Sequence, residues 1–385
     1  KLAWKLFGMT VVIGTICYGL VLWVRWTIPN LTENEPFVLN EGISAWPTVV
    51  IRLFALAMTL VFLRYSWQKL KDNEKALARD FGFEDKDKLA DKLGPTPLIF
   101  SARFLDCCVG LHRWRPQAGG QIDAALLWWR SAMHSEIRMV AARIVPQVAI
   151  AFAVAWLLLE LFGFPYIPCR GEACAKINYV STVFSSIATL VLIFYVIDAT
   201  RICLKWVDCI GMGKVVWSDD TRLKKAKERG VNEKNLDEWL GIELIAERTA
   251  LLGKFIYFPF IIMLLLGVAR HTYLDNWDFS TALVIIFTLS AILIFLNSML
   301  LRRSAETAKR RAIERLEARL IGLSDQTPDE QKEKRQIEWV ITAIKNNRRG
   351  AFLPFTQHPV FGAAIALPSG AYGIVLLLEY LATSF

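Results

Sequence analysis

The sequence is short of the residues that usually mark a catalytic centre. It holds four histidines, His112, His134, His271 and His358, and no two stand four apart, the spacing at which a helix presents a zinc-ligand pair. His134 and Glu136 are two apart, so a helix would not turn them to one face. No GxxxxGK[ST], GxGxxG or GxSxG occurs. That leaves out the phosphate-cradling loop, the dinucleotide fingerprint and the nucleophile elbow in their usual forms. Cys107 and Cys108 are adjacent and Cys203 and Cys209 six apart, neither a metal-ligand spacing. Only Cys169 and Cys174, in PYIPCRGEACAKIN, form a compact pair. An oxidising compartment would permit a disulfide there, and two free thiols are the alternative. The expectation is therefore no catalytic motif, no cofactor and no metal. An enzyme whose acids or histidines assemble only in three dimensions stays open.

What the sequence has in excess is apolar residues. Of 385 residues, 54% are hydrophobic and the mean hydropathy is +0.36, above the usual balance of a soluble chain. Apolar runs long enough to cross a hydrocarbon core, which takes about 20 residues, lie at 6–24, 47–65, 145–164, 179–197, 254–268, 281–301 and 361–381. The fifth is short. The seventh carries Pro368, Ser369 and Gly370 at its middle, as a kinked or re-entrant segment would. The first lacks a small-residue cleavage site and reads as a retained span. The fold class expected is all-α: a polytopic transmembrane helical bundle of about seven spans, with six as the fallback count.

Charge gives the orientation. With the segments assigned alternately, 40 of the 45 Lys and Arg fall on one side, and the positive-inside rule makes that side the cytoplasm. The expected location is an inner or plasma membrane, with the N-terminus cytoplasmic. The organisation is then spans 1 and 2 over 1–68, a cytoplasmic helical loop over 69–144, spans 3 and 4 over 145–200, a second loop over 201–253, spans 5 and 6 over 254–301, a cytoplasmic αα-hairpin over 302–360, and span 7 over 361–385. The net charge of +9 is mostly this topology signal. Basic residues interleave with acidic ones in the loops, so no nucleic-acid partner is expected.

Each loop has helix signals. A long helix is expected from Asp123 through Arg143 into the third span. SDDTRLKKAKERG reads as a solvated helix stopped by Gly230, and Leu236, Leu240, Leu244 and Ile245 share one face of the next helix. Ala305, Ala308, Ala312, Leu316, Leu320 and Leu323 form a stripe at helical spacing. Thr327, Pro328 and Glu330 then spell a capping box that opens the hairpin's second helix. This hairpin packs on its own chain or on other subunits or a partner protein.

Charges inside spans are the residues to weigh first. Arg52, Glu160 and Glu379 fall at similar depth in the outer third of their spans. The expectation is that Arg52 pairs with one or both carboxylates, either to pin helices together or to line an outer ion path. Asp198, with Arg201 three residues on, is expected to pair locally. Ser181, Ser185 and Thr189 make a small polar stripe that suits close helix packing or a hydrated pathway. The function classes left are a homo-oligomeric channel or pore-type assembly with a cytoplasmic helical regulatory part, then a scaffold or sensor subunit, then a secondary transporter or membrane-embedded enzyme. The transporter ranks low because no internal repeat is visible.

Overall fold

A computed structural model describes residues 45–80, 122–123, 137–163, 172–213, 215–230, 236–269, 281–323 and 327–354. Its helices are α1 (Ala45–Asp80), α2 (Ile137–Phe162), α3 (Glu172–Gly211), α4 (Asp219–Arg229), α5 (Leu236–Val268), α6 (Thr281–Ile321) and α7 (Pro328–Asn346), followed by a 3₁₀ turn, Gly350–Phe352. Five of them, α1, α2, α3, α5 and α6, are long and apolar enough to cross a membrane. The runs at 6–24 and 361–381, and the N-terminus, lie outside the described residues.

The long helices do not stop where their apolar runs stop. At about 1.5 Å per residue, α3 with 40 residues and α6 with 41 reach about 60 Å, twice the roughly 30 Å of a bilayer's hydrocarbon core. Burial divides each rod in two. In the apolar half, Val50, Phe54, Leu60, Val154, Leu157, Leu161, Phe184, Leu289 and Leu296 face outward, as lipid allows. In the polar half the same helices bury Leu77, Val207, Leu240, Ile242, Ile245 and Leu316 in one core, as water requires.

The polar half is closed by the α6–α7 hairpin. Ala305, Ala308, Ala312 and Leu316 are buried, with Leu320 and Leu323 partly so, and α7 adds Ile337, Val340, Ile341 and Ile344. The stripe is thus covered by the chain itself. Thr327 caps α7 by accepting from the Glu330 N–H, and the Glu330 carboxylate accepts from the Thr327 N–H. At the other end Lys309 of α6 donates to the carbonyls of Lys345 and Asn347, at 3.0 and 3.1 Å. A cation there satisfies carbonyls that the helix leaves open and complements its dipole. Helix α4 begins at Ser218 and ends at Gly230 (φ 67°). Leu236, Leu240, Leu244 and Ile245 of α5 are all buried.

One expectation is corrected. Asp123 itself is extended and not helical, as Ile122–Asp123 pairs in parallel with Val215–Val216; residues 124–136 lie outside the described residues, and α2 is described from Ile137. The β-branched pair Val215–Val216 favours extended backbone, and it ties the two loops together.

The 3₁₀ turn is seated on α5. Thr249 donates its hydroxyl to the Ile245 carbonyl at 2.7 Å and accepts from the Ala351 N–H at 2.9 Å. Gly350 has φ 60°, and a Cβ there would collide with Thr249 Oγ1 and the Ala246 carbonyl. Gly350→Ala should therefore lower stability by about 2–3 kcal/mol, read as a fall in melting temperature in detergent. Gly230→Ala shares the positive φ but meets open space, and should cost only about 1–2 kcal/mol.

Candidate functional site

Two buried arginines join the long helices, Arg143 where the apolar run of α2 begins and Arg248 six residues before that of α5. Arg143, on the second turn of α2, points its guanidinium at α3. Its Nε donates to Asp198 Oδ1 at 2.9 Å and its Nη2 to Oδ2 at 2.8 Å. This fork-on-fork geometry is the strongest way for a protein to hold a carboxylate. Arg248, on α5, donates from Nη2 to Glu74 Oε1 at 3.0 Å and from Nη1 to Asn73 Oδ1 at 2.9 Å, both on α1. Its guanidinium also lies 5.6 Å from the ring centroid of Trp206 on α3. Arg248 and Glu74 are 7% and 6% exposed at their side chains, Arg143 and Asp198 11% and 9%. These four charges are therefore largely dry, and they join α2 to α3 and α5 to α1.

The sequence signal for the second pair was present on the helix faces. Arg248 continues the buried stripe Leu236, Leu240, Leu244 at the same i+4 step. Glu74 stands between Leu70 and Leu77, both buried, on one face of α1. A charge on an apolar stripe must be paired or it is costly. The expected local pair of Asp198 with Arg201 is not formed. Asp198 turns inward to Arg143, and Arg201 reaches Gln147 Oε1 at 3.4 Å. A buried bidentate fork outweighs a solvated i,i+3 contact, which is worth little.

Arg52 is buried in the apolar half and donates to Thr182 Oγ1 on α3 at 3.0 Å. Glu160 is exposed on the outer surface of α2, and Glu379 lies outside the described residues. On α3, Ser185 and Thr189 are buried, while Ser181 is half-buried. Ser185 donates to the Thr182 carbonyl at 3.0 Å and Thr189 to the Ser185 carbonyl at 2.7 Å. Both hydroxyls are thus spent on their own helix, as small polar residues are where helices pack closely. Cys169 lies outside the described residues, and Cys174 falls in the first turn of α3.

Further ion pairs organise the watery end. Arg315 of α6 grips both oxygens of Glu238 at 2.6 Å and donates to the Gly211 carbonyl at the end of α3 at 2.9 Å. Arg222 of α4 holds Asp237 at 2.8 and 2.6 Å. Both of these carboxylates are engaged by an arginine from another helix, which fixes α5 against α6 and α4. Among the described residues no group of three His, Cys, Asp or Glu could hold a metal ion.

Removing one member of a buried pair should be far worse than removing both. Arg143→Met or Asp198→Leu alone should cost about 3–5 kcal/mol, because each leaves a dry charge unpaired. The double variant should recover about 2 kcal/mol or more of that loss. Unfolding in detergent followed by Trp fluorescence measures the cycle, and additive losses would show that the two side chains are not coupled.

Comparison with protein-family models, with curated proteins and with solved structures finds no match for this chain, so its function has to be read from its own geometry.

Proposed function

We propose that the chain is a subunit of a homo-oligomeric membrane assembly of the channel or pore type, with its basic half in the cytoplasm as a regulatory part. The carrying observation is the unequal cover of the five apolar helices. The apolar windows of α1, α3 and α5 are 39, 44 and 39% buried, whereas those of α2 and α6 are 6 and 11% buried. Helices α2 and α6 thus form the periphery of the described bundle within the bilayer.

Those peripheral faces are not purely greasy. Glu160 is exposed on α2 among Trp156, Leu157 and Leu161, and Asn297 is half-buried on α6 beside the exposed Leu293, Leu296 and Leu300, its amide donating to the Leu293 carbonyl at 2.8 Å. Carboxylates and amides at membrane depth are unfavourable against lipid and favour protein or a water-filled path. A second copy against this surface would supply both. A heterologous contact of this kind closes into a ring, whose axis is where an ion path would run. Ser185 and Thr189 sit inside the protomer, which favours packing for them and moves the candidate lining to α2 and α6. The orientation rests on the positive-inside rule, with 40 of 45 cations on one side.

A scaffold or sensor subunit is the second reading. It is favoured by Trp339, 43% exposed on α7, and by Ile321, 83% exposed at the hairpin tip. Both are apolar groups presented to water at the basic end.

Native mass spectrometry of the protein in nanodiscs should give a trimer or larger ring, and liposomes containing it should pass ions at a rate altered by Glu160→Gln. A strict monomer would overturn the channel reading. In a cysteine-free background, Lys332→Cys should react with an impermeant maleimide only in inside-out vesicles; labelling of intact cells would reverse the orientation.

A further inference from the structure

One cleft in the molecule combines a membrane-level position, cations and an unsatisfied buried polar group. It opens between α5, α6 and the 3₁₀ turn and has a volume of about 260 Å³. Its lining includes Lys254 and Tyr257 from α5, Ser298 and Arg302 from α6, and Ala351 from the turn. Its depth is fixed twice over by the sequence. Lys254 stands at the start of the α5 apolar run, and Arg302 directly follows the last apolar residue of the α6 run. Two antiparallel helices therefore change from apolar to charged at the same cleft, which places it at the membrane–water boundary on the basic side.

The polar groups in the cleft are poised for an acceptor-rich ligand. Lys254 is exposed, and no hydrogen bond or ion pair engages its ammonium among the described residues. Arg302 gives its Nε to Glu306 at 2.9 Å, one turn farther into water, and still lines the cleft. Ser298 is 2% exposed, and its hydroxyl has no hydrogen-bond partner among the described residues. That is unusual for a helix serine. Ser290 on the same helix bonds back to the Ile286 carbonyl at 2.8 Å, and a buried hydroxyl left unmade is costly.

From the apolar edge of the cleft, Tyr257 and, one turn on, Ile261 of α5 are exposed. They form an apolar track leading away from the cations toward the bilayer core. The volume falls just under the ~300 Å³ at which pockets for whole small molecules begin, a size that suits a headgroup with its chains outside.

We propose that this cleft binds the phosphate of an anionic glycerophospholipid. Lys254 and Arg302 face the phosphate, Ser298 donates its hydroxyl to a phosphate or ester oxygen, and the acyl chains lie along Tyr257 and Ile261. Basic pockets between helices at the membrane surface commonly take such headgroups. The proposal rests on the chain spanning a bilayer and not on its oligomeric state, so its failure would leave the channel reading standing.

The test is native mass spectrometry of the full chain in detergent, titrated separately with phosphatidylglycerol and phosphatidylcholine. Wild-type protein should retain phosphatidylglycerol in preference to phosphatidylcholine. Lys254→Gln should weaken that binding about fivefold, the loss expected for one cation at a membrane surface, and Lys254→Arg should keep most of it. Ser298→Ala should also weaken it while leaving the melting temperature of the delipidated protein equal or higher, a combination that a purely structural serine would not give. Equal retention of the two lipids, or unchanged binding by Lys254→Gln, would overturn the proposal. So would protection by inorganic phosphate at millimolar concentration without any lipid preference, which would make the cleft a site for a free anion.

Discussion

The bundle depends on two guanidinium groups held out of water. Arg143 clasps Asp198 where the apolar runs of α2 and α3 meet their polar ends, and Arg248 clasps Glu74 farther into the polar half. Neither pair is a cheap source of stability, because taking charges out of water costs nearly as much as their attraction returns. Their value lies in specificity. Leucine side chains let one helix slide or rotate on another at small cost, whereas a planar fork on a carboxylate accepts one register. Arg248 extends this by engaging Asn73 and Glu74 on α1 while lying against Trp206 on α3. Three helices are thereby indexed by one side chain.

The apolar and polar halves of the same rods obey different rules. In the apolar half, few large side chains are fully buried on α2 and α6, and backbone hydrogen bonding within each helix satisfies lipid. In the polar half the usual demands of water return. The core is filled largely by leucine, isoleucine and valine, α4 and α7 are capped, and arginines grip Asp237 and Glu238. The hairpin α6–α7 belongs wholly to this second regime. Its capping box, the Lys309 contact to the α7 C-terminus and the Gly350 turn on Thr249 are features of a soluble helical domain built onto membrane helices.

Local features were legible in the sequence and distant ones were not. The caps at Thr327 and Gly230, and the stripe from Ala305 to Leu316, depend on residues within a few positions of one another, so their spacing announces them. The lengths of α3 and α6 were harder to read, because hydropathy marks only the apolar part of a rod that continues without a break. Asp198 shows the limit most clearly. Its neighbour Arg201 stands at the right spacing, yet the true partner is Arg143, 55 residues away, and nothing in the local pattern ranks the two. Arg248 and Glu74 were visible in principle as charges on apolar faces, a signal that counting apolar positions alone passes over. The contact of Arg52 with Thr182 spans 130 residues, and the bridge of Asp123 to Val216 likewise joins distant loops.

The unbroken length of α3 has a mechanical consequence. Helix α3, about 60 Å long and pinned to α2 through Asp198 at the end of its apolar run, has the geometry of a lever with its fulcrum at that pair. A tilt of about 5° over such a rod shifts one end by about 5 Å relative to the other, roughly one helical turn. A displacement of the polar end of α3 about that pair would therefore move its apolar end in the opposite direction, since the helix runs without a break between them.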